Sequence, residues 1–120
     1  MRVLIVDDVS DICETLKDYL NIFHYNVDIA LTAQEALRLI GLSHYDAVIL
    51  DLALPDLDGY ALARLIRQHY AFRPKSILLA ISGSKFDKTH PYAAEAAFDL
   101  VLLKPANPED IKAALVRPHP

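Results

Sequence analysis

Five short apolar runs punctuate the chain: Val3-Leu4-Ile5-Val6, Val27-Asp28-Ile29-Ala30, Ala47-Val48-Ile49-Leu50, Ile77-Leu78-Leu79-Ala80-Ile81 and Leu100-Val101-Leu102-Leu103. Four are nearly continuous, as expected of strands covered on both faces. The second alternates, which suits an edge. Successive runs start roughly 20 to 30 residues apart, enough for a crossover helix between each pair. The intervening segments have helical period. Ile12, Leu16, Tyr19, Leu20 and Phe23 share a face; Ala33, Ala36, Leu37 and Ile40 form a second stripe; Leu62, Leu65, Ile66 and His69 form a third. The second helix opens with the capping box Thr32-Ala33-Gln34-Glu35, and Gly41 is expected to close it. The last opens with Asn107-Pro108-Glu109-Asp110, an N-cap residue, a proline at the first helical position and acids in the first turn, and turns Ile111, Ala114 and Leu115 inward. The fourth is the weakest: Pro91 interrupts Phe86 to Ala97 and starts a short helix. The reading is an α/β fold, a (βα)5 doubly wound parallel sheet with helices on both faces.

Composition narrows the class. At 120 residues, residues 1–120 read as one domain, and with 53% hydrophobic residues the chain can build an ordinary core. A formal net charge of −4 argues against direct nucleic-acid binding by this domain. No apolar run approaches the length of a membrane span, and Arg2 leads straight into a strand, so no cleavable signal precedes the fold. Cys13 is the single cysteine, excludes an internal disulfide or CxxC site, and reads as a packed helix thiol. These features point to the cytoplasm. The histidines His24, His44, His69, His90 and His119 show no ligand spacing at a strand end, against a zinc site. His24 and His44 read as surface-turn residues, and Arg64, Arg67 and Arg73 as a solvated face around the third helix.

Sites in such sheets lie at the carboxyl ends of the strands, near the point where strand order reverses. Those ends carry Asp7-Asp8, Asp51, Ser82-Gly83 and Lys104-Pro105; the second strand ends in Ala30-Leu31, with nothing reactive. Placing the silent strand at an edge gives the order 2-1-3-4-5, which sets strand one beside strand three and makes Asp7, Asp8 and Asp51 converge. Three crowded carboxylates either rise in pKa or hold a cation. Hard oxygen ligands with open positions suit Mg2+. A lysine supplies a point charge for a phosphoryl group, and a serine hydroxyl can donate to its oxygens. Phosphoryl transfer requires mainly positioning and charge neutralisation, and Asp51 is the natural nucleophile for an aspartyl phosphate. Each element alone is ordinary: an Asp pair is usually a cap, a lone Asp a turn residue. The specificity lies in all of them falling at one rim.

The stretch Asp51-Leu52-Ala53-Leu54-Pro55-Asp56-Leu57-Asp58-Gly59-Tyr60 resembles the Asp-x-x-Met/Leu-Pro-x-x-Asp-Gly signature of the receiver domain of two-component response regulators, and the resemblance covers Val3 to about Val116. In that stretch Pro55 stiffens the turn, and Gly59 is expected to permit an unusual φ where the next helix starts. The resemblance implies a flavodoxin-like sheet and a phosphoryl group passed to Asp51 from a phosphohistidine on a sensor histidine kinase or histidine phosphotransfer protein. It also implies Mg2+ held by Asp8, Asp51 and the backbone carbonyl of Ala53, with Asp7 acting mainly through a metal-bound water. Ser82 would be the switch hydroxyl, Lys104 the phosphoryl partner and Pro105 the cis-proline. The switched surface would be the face of the fourth helix and fifth strand. Ala97-Phe98-Asp99 and the loop from Asp51 to Gly59 resemble receivers attached to hybrid sensor kinases.

Two positions depart from the family. Val101 replaces the usual aromatic three residues before the lysine and cannot act as a rotating ring, and Ala106 replaces a frequent phenylalanine. Ala53 and Ser84, two residues after Asp51 and Ser82, are small and offer no strong general base. Other functions compete. A small aspartyl-phosphate phosphatase of the haloacid-dehalogenase type needs a second Asp where Ala53 stands. A receiver-like adaptor that binds partners without phosphorylation usually lacks one of the acids. A flavin carrier lacks its phosphate loop, since Gly41, Gly59 and Gly83 are the only glycines. The sequence leaves the oligomeric state open.

Overall fold

The computed structural model describes residues 1–69, 72, 75–84 and 87–116. Elements alternate along the chain: β1 (Arg2–Val6), α1 (Ser10–Ile22), β2 (Asn26–Ala30), α2 (Ala33–Leu42), β3 (Ala47–Asp51), α3 (Gly59–Gln68), β4 (Ile77–Ser82), α4 (Ala93–Ala96), β5 (Leu100–Leu103) and α5 (Pro108–Val116). The five strands form one sheet in the order β2-β1-β3-β4-β5, and every pairing is parallel. That is the topology expected from the sequence, with the chemically silent second strand at an edge.

Alternation along the strands splits the core in two. Leu4, Val6, Val48, Leu50 and Leu78 face α2, α3 and α4. Val3, Ile5, Ala47, Ile49, Leu79 and Ile81 face α1 and α5. Because both faces are covered, all five residues of β3 are buried, its terminal aspartate included. Polar side chains finish the helices. Thr32 Oγ1 accepts from the Glu35 N–H at 3.1 Å, while the Glu35 carboxylate turns to Arg38. Asn107 Oδ1 accepts from the Asp110 N–H at 2.9 Å, as its N-cap position demands. Just past the end of α1, His24 takes a φ of 68°, which lets the Tyr25 N–H reach back to the Leu20 carbonyl.

Several expectations are corrected. Gly41 does not close α2: the helix runs on to Leu42, and an extended Ser43 feeds the chain towards β3. No described glycine has a positive φ. Gly59 is required for space instead, since a Cβ there would lie 2.5 Å from the Leu52 Cα. The inward stripe of α1 is Cys13, Leu16 and Leu20, while Ile12 is 51% and Phe23 43% exposed. The helix is rotated so that the small thiol meets the sheet where the chain leaves β1. In α3, Ala63 takes the buried place expected of Leu65, because α4 packs close by. Arg64 and Arg67 are not a solvated face. Arg67 bridges the carbonyls of Ser76 and Ala97 and the carboxylate of Asp99, and Arg64 reaches Glu95 and lies over the Tyr92 ring. They tie α3 to the elements around β5. The short α4 begins two residues after Pro91, as expected. Arg73, Phe86 and residues 117–120 lie outside the described residues.

Candidate functional site

The parallel sheet delivers all five strand ends to one rim, and the candidate residues follow from that. Asp7 leaves β1 with its N–H bonded to the Ala30 carbonyl, and its Oδ1 accepts from the Val9 N–H at 2.9 Å. Asp51 is the last residue of β3 and 4% exposed; its Oδ1 accepts from the Ala53 N–H at 2.9 Å. Asp7, Asp8 and Asp51 each offer a carboxylate oxygen, and these atoms lie within 4.8 Å of one another. Lys104, the first residue after β5, brings Nζ to 2.9 Å from Asp51 Oδ2. The Lys104-Pro105 bond is cis. Ser82 ends β4, one register step beyond Ile81, which partners Asp51. Its carbonyl accepts from the Lys104 N–H at 2.7 Å and its Oγ from the Ser84 N–H at 3.1 Å. The rim thus brings the Asp7, Asp8, Asp51 and Lys104 side chains together, with Ser82 at the end of the neighbouring strand and Ala53 exposed beside them.

The electrostatics match the crowding. Burial pushes the Asp7 carboxyl above the usual carboxylate range, and the Asp51 charge adds to the rise. The hydrogen bond to Asp51 raises the Lys104 ammonium, so the lysine stays charged. One lysine against three acids leaves a net negative pocket. Such a donor set, hard oxygens with one open side, fits a divalent cation. Beside it runs an apolar cavity of about 460 Å³, lined among others by Ile12, Leu16, Pro105, Ala106 and Ile111. The alanine at 106 leaves that space open.

Sequence reasoning missed the residues that hold the loop between β3 and α3. Asp56 accepts from the N–H groups of Ala33 and Gln34 at 2.9 and 3.1 Å, at the start of α2. The bond from the Ala33 N–H holds its carboxyl below the ordinary range. Asp58 caps α3 through the Tyr60 N–H at 2.9 Å, and its other oxygen meets His90 Nε2. An Asp before Gly at a helix start signals the cap; nothing local signals His90, 32 residues away.

Comparison with known proteins agrees with this geometry. The profile of the response regulator receiver domain family matches residues 3–116. The chain is 31% identical over 110 residues to the transcriptional regulatory protein SrrA of Staphylococcus aureus, covering 92% of this chain but 44% of that protein, so it spans less than half of that relative. Among solved structures, a CheY-like receiver domain from Methylobacillus flagellatus superposes with a TM-score of 0.82 at 33% identity, covering 96% of this chain and 95% of that one. A response regulator from Burkholderia pseudomallei, solved with a phosphorylated aspartic acid, a calcium ion and citrate, superposes at 0.83 with 31% identity, covering 95% of this chain and 65% of that one. No described helix is long and apolar enough to cross a membrane. By profile, relatives and topology together, the chain belongs to the response regulator receiver domain family.

Proposed function

We propose that residues 1–120 act as one phosphoacceptor module of a two-component or phosphorelay system, with Asp51 as the acceptor. The observation that carries this reading is the buried Asp51 carboxylate, held by Lys104 at 2.9 Å and crowded by Asp7 and Asp8. The donor is a phosphohistidine on a sensor histidine kinase or histidine phosphotransfer protein in the cytoplasm. An Asp51 oxygen attacks the phosphorus, the P–N bond breaks and its electron pair leaves with the imidazole. The product is an acyl phosphate on Asp51.

Asp8, Asp51 and the Ala53 carbonyl would hold Mg2+, with Asp7 acting mainly through a bound water. When bound, the cation would supply charge neutralisation for the phosphoryl oxygens and the crowded acids. Lys104, already paired with Asp51, keeps its charge at the phosphoryl group. Ser82 donates its hydroxyl to a phosphoryl oxygen, and its displacement, with that of Lys104, changes the face formed by α4 and β5. Val101 stands on that face in place of an aromatic, so the change runs through Ser82 and Lys104. The same residues assist formation and hydrolysis of the acyl phosphate.

Incubation with Mg2+ and a small acyl-phosphate donor tests this by intact mass. One labile phosphoryl adduct is expected, absent from Asp51→Asn and from samples with excess chelator. Continuous phosphate release at high turnover would mark a phosphatase. No adduct despite Mg2+ binding would mark an adaptor and end the proposal.

A further inference from the structure

The loop from Asp51 to Gly59 carries Ala53, whose N–H bonds the Asp51 carboxylate at 2.9 Å, and the structure shows what fixes it. Ala53 forms an isolated antiparallel bridge with Asp58. The Leu52 carbonyl accepts from the Gly59 N–H at 3.2 Å. Asp58 therefore closes the loop across from Ala53, and whatever holds Asp58 orients the carbonyl. One Asp58 oxygen is occupied by the helix cap. The other is held by His90, which comes from the segment after β4.

His90 is itself fixed from three directions. Its Nδ1 accepts from the Tyr92 N–H at 3.0 Å, which places the ring proton on Nε2, facing Asp58. Its ring stacks on Tyr60, with centroids 4.3 Å apart and planes 14° from parallel. The Tyr60 hydroxyl accepts from the Asp87 N–H at 2.8 Å, which binds the same segment a second time. The His90 side chain is only 19% exposed.

We propose that His90 is a positioning residue for the cation site. It pins Asp58, and through the Ala53–Asp58 bridge it holds the Ala53 carbonyl ready for the ion. The inference rests on the proposed role of Ala53 as a ligand. Ligands held by a rigid surrounding shell bind metal more tightly than ligands on a loose loop.

Calorimetric titration with Mg2+ alone, on the full chain without a phosphodonor, tests the proposal. His90→Phe keeps a ring over Tyr60 but removes both nitrogen contacts, and is expected to weaken Mg2+ binding by three- to tenfold. His90→Gln, which can still offer an N–H to Asp58, recovers at least half of the loss. Asp58→Asn retains a helix cap but removes the charged acceptor, and should match His90→Phe. The double variant Asp58→Asn/His90→Phe binds no more weakly than either single one, as a shared contact requires. Amide exchange of Gly59 speeds up in parallel. Additive losses in the double variant, or wild-type Mg2+ affinity in His90→Phe, overturn the proposal. A wild-type chain that binds no Mg2+ removes the cation reading itself, and this proposal with it.

Discussion

Single residues show where chemistry and geometry leave no slack. Gly59 has no room for a methyl group, because a Cβ would lie 2.5 Å from backbone. Gly59→Ala is expected to destabilise the chain by about 2 kcal/mol through forced backbone movement, measured by urea unfolding. The sequence marked Gly59 as special but suggested the wrong cause. A conformational need and a spatial one leave the same letter in the chain. His24 presents the opposite case: a left-handed residue that carries a side chain. His24→Gly should raise stability by about 1 kcal/mol in the same assay. Cys13 is fully buried, and that burial, with the nearby Asp7 charge, pushes its thiol up to about 11. An unfolded thiol loses its proton near pH 9, so between about pH 9 and 11 the folded chain holds a proton that the unfolded chain has released. Stability contributed at this position therefore falls as pH rises through that window. The native chain should react with a disulfide reagent at neutral pH only as fast as it unfolds.

Elements were legible in proportion to how local their causes are. The caps at Thr32 and Asn107 act within three residues and could be read directly. Four of the strands could be read as nearly continuous apolar runs because both faces of the sheet are covered, and the second by its alternation. The faces of α1 and α3 were read slightly rotated from where they lie. Large side chains drew the stripe towards Ile12 and Leu65, whereas close packing against sheet and helix selected Cys13 and Ala63. Long-range clamps could not be read at all. Arg67 joins α3 to Ser76 and to Ala97 and Asp99, the last two some 30 residues away, and the Arg67–Asp99 pair is largely buried at 18% and 19% exposure. Asp99 also accepts from the Leu78 N–H at 2.7 Å. Arg67→Ala should cost about 3 kcal/mol, since it strands a largely buried carboxylate, with the loss read by thermal unfolding.

For the molecule as a whole, strand order and the position of the site could be deduced together. Only an order that puts the chemically silent strand at the edge brings the acids into register, and the parallel sheet then collects them at one rim. What the chain could not reveal is how that rim is braced, because Asp56, Asp58 and His90 meet partners contributed by other loops. The same rim sets function against stability. In metal-free protein, Asp7→Asn should raise the unfolding midpoint by relieving buried charge, while abolishing or weakening Mg2+ binding. A calorimetric scan in chelator and a second in Mg2+ would give opposite rankings of wild type and variant.

The cluster of three acids therefore has a consequence outside signalling. Bound only by the folded chain, a divalent ion at a hundred times its dissociation constant would add about 2.7 kcal/mol to stability. On the proposed reading, ambient magnesium would serve as a building material of the fold, and protein kept in chelator would be a looser molecule as well as an idle one.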